Sequence, residues 1–255
     1  MVDGAPGSAM RIIGVVQARF KSTRLPGKVL LPLVADLPVL SVLYERIQSS
    51  GIELFLATTL DPSDDITATM GSRIGFKVFR GETENVLSRF NSIAEKAKAD
   101  WIVRLTADNP FVDTEIIQTL VSLAKTVATN KDMVCEDHTQ RRYPLGYVPE
   151  IVRSSALLRL SHKSLVLDPY HLSHVTSGIE SSRRQLMSNR PAVSRQQWRW
   201  TIDTELDLMF ARKVFEKLGN EWRQATFSDI ENILRLEPDI ACINSEIRQK
   251  SVEDG

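Results

Sequence analysis

In the first half of the chain, short apolar runs of strand length alternate with longer stretches of helical periodicity, and this alternation constrains the fold most. Ile12 to Val16 is β-branched apart from one glycine and stops at the polar Gln17, which predicts a buried strand followed by a long polar loop, Gln17 to Lys28. Pro38 precedes an apolar helical face of Val39, Leu40, Val42, Leu43 and Ile47 that Gly51 closes, and Glu53 to Thr59 is again strand-like. Asp61-Pro62-Ser63-Asp64 supplies a turn and a cap for a helix to about Ile74, and Lys77 to Phe79 is a short strand. Val86, Leu87, Phe90, Ile93, Ala94 and Ala97 mark a helix within Glu84 to Lys98, before a strand at Trp101 to Leu105 and a helix at Thr114 to Thr126. Such a chain predicts an α/β fold: a mainly parallel, doubly wound sheet with helices on both faces.

The pattern loosens between residues 133 and 195, which reads as an excursion or arm. Order returns with an expected strand at Trp198 to Ile202, an amphipathic helix at Leu206 to Leu218 and another near Phe227 to Leu236, before a loose tail from Arg248. At 255 residues and 42% hydrophobic content the chain can build one sizeable core, so a single domain over 1–255 is expected. Lysine plus arginine equals aspartate plus glutamate at 32 each, so no net field draws in nucleic acid or an anionic membrane, and any anion site must be local. Two isolated cysteines, Cys135 and Cys242, support neither a disulfide scaffold nor a zinc ribbon and fit a reducing cytoplasm. The apolar run from Ile12 to Val16 is too brief for a signal-peptide core or a membrane span.

Chemistry concentrates first in the loop after the opening strand. Gln17 to Lys28 carries Arg19, Lys21, Arg24 and Lys28, and in an open parallel sheet the loops at the carboxyl ends of strands line the ligand crevice. A triphosphate is the natural anion for this loop: Arg19 and Arg24 can fork onto phosphate oxygens, Lys28 can place a charge on a leaving pyrophosphate, and Gly27 lets backbone come close. By charge alone, a solvated basic loop is an equally good reading. Neither G-x-x-x-x-G-K-[ST] nor G-x-G-x-x-G follows the first strand, so a P-loop and a dinucleotide fingerprint are both excluded.

Ile12-Ile13-Gly14-Val15-Val16-Gln17-Ala18-Arg19, followed by Ser22-Thr23-Arg24-Leu25-Pro26-Gly27-Lys28, resembles the signature loop of the CTP-dependent sugar-acid cytidylyltransferases. These make CMP-Kdo and CMP-sialic acid, and the chain resembles most closely their spore-coat polysaccharide relatives. The resemblance implies a Rossmann-like nucleotidyltransferase sheet and a nucleotide site that takes in Ala18, Arg19, Arg24 and Lys28. Ala57-Thr58-Thr59 is similar to the family's pair beside the base. Phe79-Arg80-Gly81 and Asn85-Val86-Leu87-Ser88-Arg89-Phe90 are similar to F-R-G and D-V-L-x-R-[FY], which implies nucleotide contacts for Ala57, Thr58, Arg80 and Arg89. Arg104-Leu105-Thr106-Ala107-Asp108-Asn109-Pro110 resembles R-x-T-G-D-x-P, with alanine in place of glycine, and implies that Thr106 lies at the nucleotide and Asp108 binds magnesium. Trp200-Thr201-Ile202-Asp203-Thr204 with Leu206-Asp207-Leu208 resembles L-T-V-D-T-x-x-D-L and makes Asp203 the second metal ligand. On the residues alone, Asp108 also serves as a turn residue and Asp203 as a helix cap, while Asp207 reads as a surface charge favouring the helix dipole.

In the 133–195 stretch, Tyr143 to Glu150 is similar to P-x-G-x-x-x-E, and His171 to Thr176 to E-H-V-T-P, with Ser173 and Ser177 departing from it. The resemblance implies acceptor contacts and homodimer packing here, with Arg104, Glu150 and His174 as substrate-binding candidates, and an acidic acceptor would need cationic partners, for which Arg141, Arg142 or His174 are within reach. The implied reaction is attack by an acceptor hydroxyl on the α-phosphorus of CTP, with catalytic work by Arg19, Lys28, Asp108 and Asp203 and no covalent intermediate. Three rivals stay open: a non-sugar acceptor such as a phosphonate or polyol phosphate, a glycosyltransferase using a nucleotide sugar, and a catalytically silent nucleotide-binding protein.

Overall fold

The computed structural model describes residues 10–127, 130–137, 140–163, 176, 178–187 and 194–249. Its centre is a sheet of seven described strands in the order β5-β4-β1-β6-β8-β7-β9. Four of them, β1 (Ile12–Gln17), β4 (Glu53–Thr59), β5 (Lys77–Gly81) and β6 (Trp101–Thr106), run parallel to one another. Their apolar runs are buried on both faces, as parallel strands covered by helices require: Ile13, Val15, Val16, Leu56, Ile102 and Val103 have no exposed surface. Between β1 and β4 come a small hairpin, β2 (Pro32–Val34) and β3 (Leu37–Pro38), and helix α1 (Val39–Ile47). Helices α2 (Asp65–Ile74), α3 (Val86–Ala97) and α4 (Thr114–Thr126) follow β4, β5 and β6 in turn.

Much of what reads in sequence as an excursion continues the sheet. β7 (Met133–Cys135) and β8 (Glu150–Arg153) join as antiparallel partners, β8 pairing with β6 and with β7, and β9 (Arg184–Leu186) adds parallel to β7. Helix α5 (Ser154–Lys163) follows β8 directly. The chain then returns as α6 (Glu205–Leu218), α7 (Phe227–Leu236) and α8 (Pro238–Cys242). The expected strand at Trp198 to Ile202 does not form. That segment makes one isolated parallel bridge, Arg199 with Leu145, and its apolar side chains enter the core without a ladder. Among the described residues, no helix is long and apolar enough to cross a membrane.

Because the chain runs from β1 outward through β4 and β5 and then crosses back to β6, the winding direction reverses between β1 and β6. Loops leaving the carboxyl ends of those two strands diverge there and open a crevice. An aromatic cluster beneath it joins otherwise remote segments. Phe111, just after β6, stacks on Phe215 of α6 at 5.1 Å between centroids and packs against Trp200 at 5.4 Å, while Trp200 meets Tyr147 at 5.5 Å. Arg46 of α1 backs this cluster. It is 1% exposed and donates to the carbonyls of Phe111, Val112, Trp222 and Ala225, tying the β6–α4 loop to the segment after α6.

Candidate active site

The loop after β1 is held shut by its own backbone and by β4. Gly27, at φ 67, donates to the Phe20 carbonyl at 2.8 Å, and a Cβ there would stand 3.0 Å from the Phe20 ring, so any other residue would be strained in backbone and would crowd that ring. Phe20 in turn donates its amide to Asp64 at 2.6 Å, and the same buried carboxylate accepts from the Thr59 hydroxyl. Asp64 is thereby a loop clasp. The residue after Gly27 is Lys28, buried at 8% exposure with its ammonium turned into the crevice.

Lys28 Nζ lies 2.5 Å from Asp108 Oδ2 and 2.8 Å from Asp203 Oδ1. One cation from the β1 loop thus joins a carboxylate just past β6 to a carboxylate just before α6. Backbone fixes the same pairing, since the Ile202 amide donates to the Asp108 carbonyl at 2.8 Å and the Ala107 amide to the Gln17 carbonyl at 3.0 Å. Ala107 is not among the residues at positive φ, so a methyl group is tolerated where the resemblance has glycine. Arg24 reaches Asp203 Oδ2 at 2.9 Å, and Arg199 binds that oxygen as well.

Burial works against the Lys28 ammonium, but the Asp108 and Asp203 carboxylates beside it outweigh burial and leave its pKa above the ordinary lysine value. Burial likewise opposes ionisation of Asp203, yet Lys28, Arg24 and Arg199 together hold its pKa below the usual carboxylate range. Lys28 and Asp203 are therefore both charged at neutral pH. Two convergent carboxylates with hard oxygen donors suit magnesium, which takes one or two carboxylates and completes its shell with substrate phosphate and water. Among the described residues no set of three or more His, Cys, Asp or Glu side chains forms a metal cage of its own.

Beside these carboxylates, on the β6–β8 side of the sheet, is a cavity of about 360 Å³ whose lining includes Arg24, Arg104, Thr106, Asp108, Arg141, Glu150 and Asp203. Arg104 bonds Glu150 at 3.2 Å, and Glu150 also accepts from Thr176 at 2.6 Å. Arg141 stands 3.9 Å from Glu136. His174 lies outside the described residues. The remaining sequence candidates lie at the carboxyl ends of β1, β4 and β5, across β1 from this cavity. Ala18 is buried and donates to the Ala57 carbonyl at 3.1 Å; Thr58 is fully buried, with its hydroxyl unpaired among the described residues. Arg19 is exposed at the rim. Arg80 and Arg89 bind the protein's own loops: Arg80 donates to the Thr59 and Asp61 carbonyls at 2.8 and 3.1 Å and pairs with Asp65, while Arg89 donates to the Glu82 and Thr83 carbonyls.

The sequence profile of the family described as Cytidylyltransferase matches residues 13–195. The chain belongs to the cytidylyltransferase family. This cytidylyltransferase is a nucleotidyltransferase by its relatives as well. It is 33% identical over 240 residues to the spore coat polysaccharide biosynthesis protein SpsF of Bacillus subtilis, a match covering 90% of this chain and 96% of that one. It is 26% identical over 171 residues to the 3-deoxy-manno-octulosonate cytidylyltransferase of Solibacter usitatus, covering 65% of this chain and 57% of that one. The solved structure of a cytidylyltransferase from Leptospira borgpetersenii shares the fold with a TM-score of 0.84 at 26% identity, covering 95% of this chain and all of that one.

Part of the site in this cytidylyltransferase lies past the profile match, and part of that escaped the sequence reading. Asp207 has no exposed surface. It is not the surface charge its helical position suggests: it accepts from the Asp203 and Thr204 amides at 3.0 and 2.9 Å, from Arg199 Nε at 2.9 Å and from Asn244 at 2.9 Å. With Thr204 it forms a capping box at the start of α6, the arrangement that satisfies free amides at a helix N-terminus. The spacing Thr204 to Asp207 is the sequence signal that finds this box; nothing in the sequence marks Arg199 or Asn244 as its partners. Arg199 also donates to Gln249 at 2.6 Å, and Gln249 lines the cavity, so the expected loose tail reaches the site.

Proposed function

We propose that this cytidylyltransferase transfers CMP from CTP to a hydroxyl of a sugar acid of the Kdo or nonulosonic-acid kind, releasing pyrophosphate, in surface polysaccharide biosynthesis. The observation that carries the reading is the meeting of Lys28 with Asp108 and Asp203, two carboxylates that line a cavity with Arg24, Arg104 and Arg141. In this reading Asp108 and Asp203 hold magnesium, and the bound ion would neutralise phosphate charge and lower the pKa of the acceptor hydroxyl. Arg19, Arg24 and Lys28 hold the triphosphate; Lys28 and Arg24 neutralise the charge that grows on the departing pyrophosphate. The acceptor oxygen forms its bond to the α-phosphorus as the bond to the β-phosphate oxygen breaks, and the hydroxyl proton leaves to solvent.

Ala18, Ala57, Thr58 and Thr106 would lie along the nucleotide, while Arg104 and Arg141 would meet the acceptor carboxylate opposite Glu150, with His174 a further acceptor contact. The names of the two curated relatives, one a spore coat polysaccharide protein and the other a 3-deoxy-manno-octulosonate enzyme, support an acceptor of this class. We further propose a single catalytic domain acting in the cytoplasm as a homodimer through part of residues 133–195. Offering CTP, magnesium and a panel of sugar acids to the purified protein should yield pyrophosphate and a product with the mass of a CMP-sugar acid. Turnover only with phosphonates or polyol phosphates would overturn the acceptor class, and no turnover with any acceptor would overturn the reaction.

A further inference from the structure

Three carboxylates and three cations form one connected cluster at the crevice: Asp108, Asp203 and Asp207 with Arg24, Lys28 and Arg199. Their formal charges cancel. The Lys28 ammonium stands between the two carboxylates assigned above to the metal, 2.5 Å from one and 2.8 Å from the other, at the point an ion shared by both would have to take. Two cations cannot hold one point. Lys28 is 8% exposed, so an ammonium pushed aside by a free dication would stay beside it, half out of water, where like charges a few ångströms apart repel strongly. A nucleotide triphosphate changes the balance, because it brings its own negative charge and offers phosphate oxygens to Lys28 and Arg24 as they leave the carboxylates.

We infer that Lys28 makes divalent-ion binding at Asp108 and Asp203 conditional on nucleotide, so that the site selects the metal–nucleotide complex over the free ion. The inference rests on the metal assignment made above. It gives Lys28 two successive partners, the aspartates before nucleotide arrives and the phosphates after, and it makes the same residue both a substrate contact and the discriminator against free cations.

The test is equilibrium Mn2+ binding read by the electron paramagnetic resonance of free Mn2+, with the α,β-methylene analogue of CTP present or absent and a protein-free control for ion held by the analogue. Without nucleotide, the full chain should bind Mn2+ weakly and Lys28→Met about tenfold more tightly, because one competing charge is gone while the methionine fills the same space. That gain should vanish in Lys28→Met/Asp108→Asn. With the analogue, the unsubstituted chain should bind Mn2+ tightly and lose that binding on Asp108→Asn. If the unsubstituted chain binds Mn2+ as tightly without the analogue as with it, through Asp108, the metal assignment stands and the inference falls. Lys28→Met that folds, as judged by circular dichroism, yet gains no affinity overturns it as well. If Asp108→Asn leaves Mn2+ binding unchanged with and without the analogue, the assignment falls and takes the inference with it. Should Lys28→Met fail to fold, the unsubstituted chain and Asp108→Asn still decide the matter.

Discussion

Asp203 carries more of the site than any other side chain, since its two oxygens receive Lys28, Arg24 and Arg199 while its amide is fixed by the buried Asp207. Asp108→Asn and Asp203→Asn should each abolish most pyrophosphate release while leaving the far-ultraviolet circular dichroism and melting cooperativity unchanged; full activity in either would refute the metal assignment. Lys28→Ala should raise the nucleotide dissociation constant and slow turnover together, because its phosphate partner gains charge in the transition state. Asp207 is different in kind: removing it leaves the buried Arg199 without one of its two carboxylates and frees two amides. Asp207→Ala should therefore cost about 3–5 kcal/mol in urea unfolding. A loss below about 1 kcal/mol would return Asp207 to the role of a surface charge.

At the scale of elements, the crevice is set by three connections: the loop after β1, the loop after β6, and the turn into α6. Gly146 supports the last two from below at φ 93, where an added Cβ would stand 2.9 Å from Asn109 Oδ1 and from the Thr201 backbone. Gly146→Ala should cost about 1–3 kcal/mol in backbone strain alone and, by pushing on the neighbours of Asp108 and Asp203, lower kcat more than it raises the KM for CTP. The charged cluster across these connections also sets a pH signature. Asp203, with its pKa depressed, contributes stability above the ordinary carboxylate range that disappears as pH falls through the depressed value. Lys28, with its pKa raised, contributes stability below the ordinary lysine range that disappears as pH rises through the raised value. The difference in melting temperature between the parent chain and Lys28→Met should hence stay flat from roughly pH 5 to 9. A slope within that window would mean that one of the two groups titrates there.

Legibility follows the same elements. β1, β4, β5 and β6 could be read because each has a β-branched or apolar run between polar breaks, α1 and α3 because each has one apolar face, and α2 through the turn and cap at Asp61 to Asp64. β7, β8 and β9 are three or four residues long and gain their stability from partners such as Ile151 against Val103, which no local pattern announces. Trp198 to Ile202 has the composition of a strand but lies over the aromatic cluster, where burial of Trp200 and Ile202 replaces a ladder. In the site, the motifs pick out Arg24, Lys28 and the two aspartates that the structure brings together, whereas Arg19 is exposed and Lys21 pairs with Asp61. The cation network on Asp203 was not legible, because Arg199 and Asn244 reach Asp207 through tertiary packing. Arg80 and Arg89 resemble family positions, yet here both donate to loop carbonyls and Arg80 also pairs with Asp65, roles that charge and spacing cannot distinguish from phosphate binding.

For the whole molecule, binding of CTP with magnesium should raise the apparent melting temperature, by about 2.7 kcal/mol of added stability when the nucleotide is a hundredfold above its dissociation constant. Asp203→Asn should remove most of that rise, and a rise of equal size in the variant would place the ion elsewhere. A chain order runs through the site as well. Lys28 enters early, Asp108 midway, and Asp203 is 175 residues beyond Lys28. A polypeptide emerging from the ribosome therefore presents Lys28 and Asp108 before Asp203 and helix α6 exist. Phe111 and Arg46 likewise wait for Phe215, Trp222 and Ala225, so the packing beneath the crevice and the pairing of the two aspartates are completed together, when α6 and the segment after it dock.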